Sequence, residues 1–300
     1  GRKKFYKLWN QRTKLLVGLF ARLENLDFSK LSYAEFKILY TSFYKTYYDW
    51  FVITISIELA ASSLEPLLGT KLKSYFSGDQ EKDYQKAFSV VTAPRFLTFY
   101  RREQQELLRI LLLPKEKQRM ALRSHQEKYY WIYNSYAEGK ELPVSYFQKE
   151  IRKYQKDDYK STLKEIDIYP KEIAQEKAFW ISKIHLRQVD REIMQVVERL
   201  SELLDVRKEF NFKSEHYLEL FIREFARRVG KPIEDLKYLL PEELYDLFAG
   251  VDMVTITARK ECLVFIASEK VIEEYVGAKA ITLANLFLGA TDIEQSVIHG

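Results

Sequence analysis

A single cysteine, Cys262, stands among 300 residues, so no disulfide framework can form and a reducing interior is the natural home. The ten glycines are scattered and nowhere form the Gly-rich loop that cradles a phosphate. The four histidines, His125, His185, His216 and His299, share no ligand spacing. With no His-Glu-x-x-His and no cysteine pair, no metal site is expected. A Gly-x-Ser-x-Gly elbow is also missing. The most apolar stretch, residues 50–57, is halted by Glu58, far short of the roughly 20 residues that cross a bilayer. It reads as a buried helix segment of a soluble, cytoplasmic protein with no membrane partner. The excess of one charge sign is small, 48 basic against 43 acidic residues, and the two signs are well mixed. That pattern favours solvated helix faces and argues against a nucleic-acid partner, which would concentrate basic residues on one element.

Aromatic residues are plentiful: 21 Tyr, 19 Phe and 4 Trp, 15% of the chain. Many must pack between helices, with tyrosine hydroxyls reaching a rim or a partner. Residues 2–25 place Phe5, Leu8, Trp9, Leu15, Leu16, Leu19, Phe20 and Leu23 at three- and four-residue spacings, an amphipathic helix. Ser32-Tyr-Ala-Glu35 is a capping-box pattern opening a second helix that runs to about residue 62. Seven prolines divide the remainder of the chain, and most should mark helix starts. Helices are predicted over 95–112, 116–137, 144–156, 171–205, 214–229 and 241–249. Two β-type runs, 261–267 and 270–276, come next. Ser268-Glu269 makes a poor two-residue turn between them, so a slightly longer loop fits as well.

The predicted fold is mainly α: a multi-helix bundle or array with a small C-terminal β hairpin. The highly charged stretch 153–165 reads as a hinge between an N-terminal helical part, 1–155, and a second one, 156–250. Residues 251–300 read as a hairpin connector. The chain opens on Gly1 and stops at Gly300 without a helix or turn signal, so both ends read as cuts in a longer polypeptide.

Two clusters are candidate ligand contacts. On the helix near 116–137, His125 lies four residues before Tyr129, on one face, with Trp131 close by. These three read either as the polar and aromatic wall of a ligand pocket or as a core histidine satisfied by a hydroxyl or carbonyl, the latter favoured. Arg187, Arg191, Arg199 and Arg207 align loosely along one helix and could receive an anion; Arg187 and Arg207 are the candidates carried forward. Interleaved Asp190, Glu192, Glu198 and Glu202 favour intrahelical ion pairs instead. The acid pairs 157–158, 242–243 and 273–274 read as structural, since adjacent helical residues face apart. No residue is assigned a catalytic role.

Three segments together resemble the central region of the phosphoenolpyruvate-utilising enzymes. His125-Gln-Glu-Lys-Tyr-Tyr-Trp131 is similar to that family's His…Tyr-x-Trp helix. Leu200-Ser-Glu-Leu-Leu-Asp-Val-Arg-Lys-Glu-Phe210 is similar to its Leu-x-x-Leu-x-x-x-Arg segment. Asp235-Leu-Lys-Tyr-Leu-Leu-Pro-Glu-Glu-Leu244 is similar to its turn before a hairpin. The group includes phosphoenolpyruvate synthases, pyruvate phosphate dikinases and rifampicin phosphotransferases. The resemblance covers residues 90–300 and departs from the pattern in lacking an Asp-Gly or Asn-Gly hairpin turn. It implies a covalently linked ATP-grasp domain, a mobile phosphohistidine domain and a small-molecule acceptor. It also implies ATP and Mg for the full-length protein, with no cofactor held by these residues. His299 lacks the Thr-Ser-His surroundings of the family's phosphoacceptor. The function so implied is that of a helical platform, lining part of an acceptor pocket, in a multidomain phosphotransferase. The alternative is a non-catalytic helical scaffold that binds another protein.

Overall fold

Apolar side chains recurring every three or four residues commit most of this chain to α-helix. The computed structural model describes residues 2–135, 139–156, 158–246, 253–267 and 271–288. Among them are twelve α-helices and one two-stranded antiparallel sheet, the mainly α fold with a C-terminal hairpin that the sequence predicts. The helices are α1 (Arg2–Leu23), α2 (Tyr33–Lys73), α3 (Glu81–Thr92), α4 (Phe99–Ile110), α5 (Lys115–Tyr129) and α6 (Val144–Lys156). They continue as α7 (Tyr159–Lys183), α8 (Gln188–Val229), α9 (Ile233–Leu236), α10 (Pro241–Tyr245), α11 (Met253–Glu261) and α12 (Gly277–Leu288). Strands β1 (Leu263–Ala267) and β2 (Ile272–Val276) pair with Leu263 opposite Val276 and Ala267 opposite Ile272. The connection is therefore longer than two residues, and residues 268–270 in it lie outside the described structure. Cys262, expected within a strand, sits between α11 and β1.

The capping box at Ser32 forms as its spacing requires. Ser32 Oγ accepts from the Glu35 amide at 3.3 Å, and Glu35 Oε2 accepts from the Ser32 amide at 2.9 Å. The helix it opens runs past residue 62 to Lys73, with Pro66 inside it. Pro170 likewise lies inside α7 instead of starting a helix. An internal proline removes one helical hydrogen bond, at a cost of about 3 kcal/mol. In α7 that cost is offset because Leu163 and Ile166 before the proline and Ile173 and Trp180 after it are all buried.

The helix expected over 171–205 is in fact two, and the one expected over 214–229 is the end of the second. The break falls at residues 184–187, where neither glycine nor proline gives warning. His185 takes φ 50°, a left-handed conformation, and the Leu186 amide donates to Ile181 O at 3.1 Å. That closure is the usual helix stop, normally built on glycine. Histidine at positive φ carries strain of about 1 kcal/mol. His185→Gly is expected to stabilise the fold by about 0.5–1 kcal/mol, read as a rise in urea midpoint at unchanged slope. A loss of stability would mean that the ring itself makes a needed contact.

Of residues 50–57, only Trp50, Thr54 and Ile57 are buried, and Val52 is 48% exposed. The run is not halted at Glu58. α2 is the one helix among the described residues long and apolar enough to cross a membrane, by length and composition, and 17% of its most apolar 18-residue window is buried.

The chain divides into two compact units. The first comprises Gly1–Leu26 and Lys45–Glu219. Its core has several parts. Trp9, Leu16, Trp50, Ile57 and Leu203 join α1, α2 and α8. Leu68, Val91, Trp180 and Met194 join α2, α3, α7 and α8. Phe99, Leu107, Tyr129, Trp131 and Phe147 join α4, α5 and α6. Lys177 lies deep within this unit: 3% exposed, it has Nζ 3.2 Å from Glu198 Oε1 but out of hydrogen-bond alignment. Arg95 grips the same carboxylate with Nε and Nη2 at 2.6 and 2.7 Å. Burial lowers the lysine's pKa, and Glu198 opposes that shift.

The second unit comprises Asp27–Tyr44 and Leu220–Gly300. Its core is a nest of rings from the 3-10 turn Phe28–Lys30, the start of α2 and the end of α8: Phe28 stacks on Phe221 at 4.6 Å, and Phe36 meets Phe225 edge-on at 4.8 Å. Arg228 holds the entry to this nest, donating to the carbonyls of Phe28 and Leu31, both at 2.8 Å.

Candidate functional site

The α5 cluster comes together in space, and it is enclosed. His125 is 5% exposed, Tyr129 4% and Trp131 1%. The His125 ring packs against Tyr129 at 4.8 Å and edge-on against Phe147 at 5.1 Å. Its Nε2 lies 2.8 Å from Glu103 Oε1 on α4. A carboxylate can only accept, so this bond places a proton on Nε2. Trp131 Nε1 donates to Lys128 O at 2.8 Å. Burial raises the Tyr129 pKa, and the neighbouring Glu106 carboxylate adds to the shift. Three hollows on the first unit are lined by other side chains. The geometry is that of a histidine satisfied inside a core by a carboxylate.

The two candidate arginines are not neighbours of each other. Twenty residues of mostly helical chain separate them, about 30 Å at the helical rise. Arg187, just before α8, donates through Nε to Tyr75 Oη and to Asp190 Oδ2, both at 3.0 Å. Arg207 is 5% exposed, lies 5.4 Å over the Phe51 ring, and ion-pairs with Glu58 at 2.5 Å. Each is occupied by a carboxylate of this chain.

Two partly buried acids on α8 are perturbed in a way that spacing does not foretell. Asp205 accepts the Phe99 amide on both oxygens, at 3.1 and 3.3 Å, and so serves the N-terminus of α4 from another helix. Burial pushes its pKa up to about 6, against the pull of Arg102 at 3.7 Å. Glu215 accepts from Tyr47 Oη at 3.3 Å. Burial, with a smaller contribution from Glu219, pushes it up to about 7 from 4.5, although the Tyr47 hydrogen bond pulls down. The chain comes so close here that a Cβ on Gly139 would sit 2.8 Å from Glu215 O. A carboxyl whose folded pKa is raised binds more protons folded than unfolded, so stability falls as pH rises from about 4.5 to 7. Glu215→Gln should therefore leave stability unchanged at pH 4 and add up to about 3 kcal/mol at pH 8. Urea unfolding at the two pH values decides it, and an equal effect at both would remove the assignment.

In the second unit, Arg259 on α11 is the most heavily engaged side chain, and no motif in the sequence marks it. Only 3% exposed, it donates through Nη1 and Nη2 to Glu243 on α10, at 2.6 and 2.9 Å. Its Nε and Nη2 donate to Glu274 on β2, at 2.5 and 3.1 Å, and Nη1 also reaches Tyr238 O at 2.9 Å. Lys260, next to it, ion-pairs with Asp235 on α9. These bonds tie the segment 235–244 to the hairpin. Gly277, at φ 57°, closes the other side by donating its amide to Cys262 O at 2.9 Å as α12 begins. Glu243 bonds both the Leu240 amide and Arg259, so the acid pair 242–243 is split between solvent and structure.

No group of three or more His, Cys, Asp or Glu among the described residues could hold a metal ion. Comparison of the chain with protein-family models, with curated proteins and with solved structures finds no match.

Proposed function

We propose that this chain is the helical platform and hairpin connector of a multidomain phosphotransferase, in which a histidine on a separate swivelling domain carries the phosphate. Relay through a histidine splits one difficult transfer into two easier ones, and it needs a firm base from which the carrier swings. The observation that carries the reading is the Arg259 tie. The segment resembling the pre-hairpin turn of the phosphoenolpyruvate-utilising enzymes, 235–244, is bound by Glu243, Asp235 and the Tyr238 carbonyl to α11 and through it to β2. Such a knot suits a connector that must not yield. Glu243, Arg259 and Glu274 are positioning residues in this reading, and His125 serves the platform's core. ATP and Mg would bind elsewhere in the same polypeptide, as would the phosphate-carrying histidine.

The test is phosphorylation of the full-length polypeptide with 32P-labelled phosphoenolpyruvate or ATP. The expected product is an acid-labile, alkali-stable phosphohistidine outside residues 1–300. Absence of label, or label mapping to His125, His185, His216 or His299, would end this reading. The second reading, a scaffold that binds another protein, is favoured by one observation: the apolar face of α2 that leaves Val52, Leu59 and Leu67 at 48, 66 and 42% exposure.

A further inference from the structure

Within the first unit, α1, α2 and α8 line a groove of about 480 Å³ that is open to solvent on one side, where Ser56, Gln195 and Arg199 are exposed. Its origin is legible in the residues: where α2 faces α8 it contributes Ser56 and Ala60, small side chains in a helix otherwise rich in Phe, Ile and Leu. Buried Ile57 and Leu203 and the rings of Phe5 and Tyr6 supply an apolar lining. At the edge stands Arg199. Its Nε donates to Tyr6 Oη at 3.0 Å, its guanidinium lies 5.4 Å over the Tyr6 ring, and its Nη1 pairs with Glu202. These contacts fix the side chain, while its Nη2 makes no hydrogen bond among the described residues. The amide of Gln195, also at the groove, is likewise without a hydrogen bond among the described residues. The volume falls in the range of small-molecule sites, which combine apolar walls with a few placed polar groups.

We propose that this groove binds an amphipathic organic anion, with an aromatic or aliphatic body on the apolar floor and its acidic group against Arg199 and Gln195. The site does not depend on the phosphotransfer reading. Charge decides between an anion and a neutral apolar guest: a pre-positioned guanidinium with a donor to spare forms charge-assisted bonds that a neutral molecule cannot use. Glu192, also lining the groove, accepts from Gln188 at 3.1 Å and disfavours a second negative group, so the ligand is a monoanion.

Two probes that share a skeleton test this: 1-anilinonaphthalene-8-sulfonate and N-phenyl-1-naphthylamine, which lacks only the sulfonate. Isothermal titration of the protein should show one site for the sulfonate. Arg199→Met should weaken the sulfonate about tenfold or more and leave the neutral probe unchanged. Ala60→Leu fills the groove and should abolish both. Because that change also perturbs a helix contact, its circular dichroism is compared with wild type, and Ser56→Val serves as a second, milder filling that should weaken both probes. Equal weakening of the two probes by Arg199→Met would overturn the anion assignment. Full binding to folded Ala60→Leu or to Ser56→Val would overturn the site.

Discussion

Arg259→Met is expected to release the hairpin. The substitution keeps the aliphatic stem but strands two carboxylates, Glu243 and Glu274, that now share one guanidinium. Removing one member of a buried ion pair costs about 3–5 kcal/mol. Both acids are partly exposed, 38 and 27% at the side chain, so water recovers some of the loss and about 3 kcal/mol is the better figure. Hydrogen exchange should accelerate in α11, β1 and β2, with the helices of the first unit unchanged. The charge itself is the point, and Arg259→Lys tests it: a single ammonium cannot reproduce the forked contact, so most of the loss should persist. Unchanged exchange in the methionine variant would mean that the hairpin stands without the tie, and the proposed role as a firm connector would lose its support.

Trp50→Ala should produce the largest loss in the first unit. Its side chain is fully buried, 5.9 Å from Trp9 and 5.6 Å from Phe210 between ring centroids, and Nε1 donates to Thr13 Oγ1 at 3.1 Å. Truncating a buried tryptophan costs about 3–5 kcal/mol, the removed surface and the cavity acting together. It also leaves the Thr13 hydroxyl without its donor. Trp50→Phe keeps part of the packing and should cost about half as much. Chemical denaturation followed by circular dichroism measures both. A loss below about 1 kcal/mol for alanine would show that α1 and α8 close over the gap.

Local signals carried much of this architecture. Spacing placed α1, α6 and the start of α2, because a capping box and a stripe of large apolar residues act within one or two turns. The boundary between α7 and α8 was hidden because His185 does the work of a glycine, and no residue type announces that. Pro66 and Pro170 misled for the opposite reason: burial on both sides of Pro170 outweighs its local preference. The pairing of Phe28 and Phe36 with Phe221 and Phe225 spans nearly 200 positions of chain, beyond any periodicity. For the site, the sequence placed His125, Tyr129 and Trp131 on one helix, but α5 ends at Tyr129 with Trp131 in the turn just past it, and spacing could not say which face was closed. Glu103, which satisfies the histidine, lies on the preceding helix. Arg259 had no signal at all, since Ala-Arg-Lys-Glu is ordinary helix surface until Glu243 and Glu274 arrive from either side. The groove beside Arg199 was equally silent, because small residues on a long helix mean nothing until their neighbours are known.

The distribution of tryptophan has an optical consequence. Trp9, Trp50, Trp131 and Trp180 are all buried, and all four belong to the first unit. The second unit contains phenylalanine and tyrosine but no indole. Excitation at the red edge of indole absorption therefore illuminates one unit and leaves the other dark. Lys213 and Lys183, 4.7 and 4.4 Å over the rings of Trp131 and Trp180, place a positive charge against two of the four emitters. Emission from this protein follows the order of its first unit alone, and a single indole placed beside Phe221 would give the second unit a voice of its own.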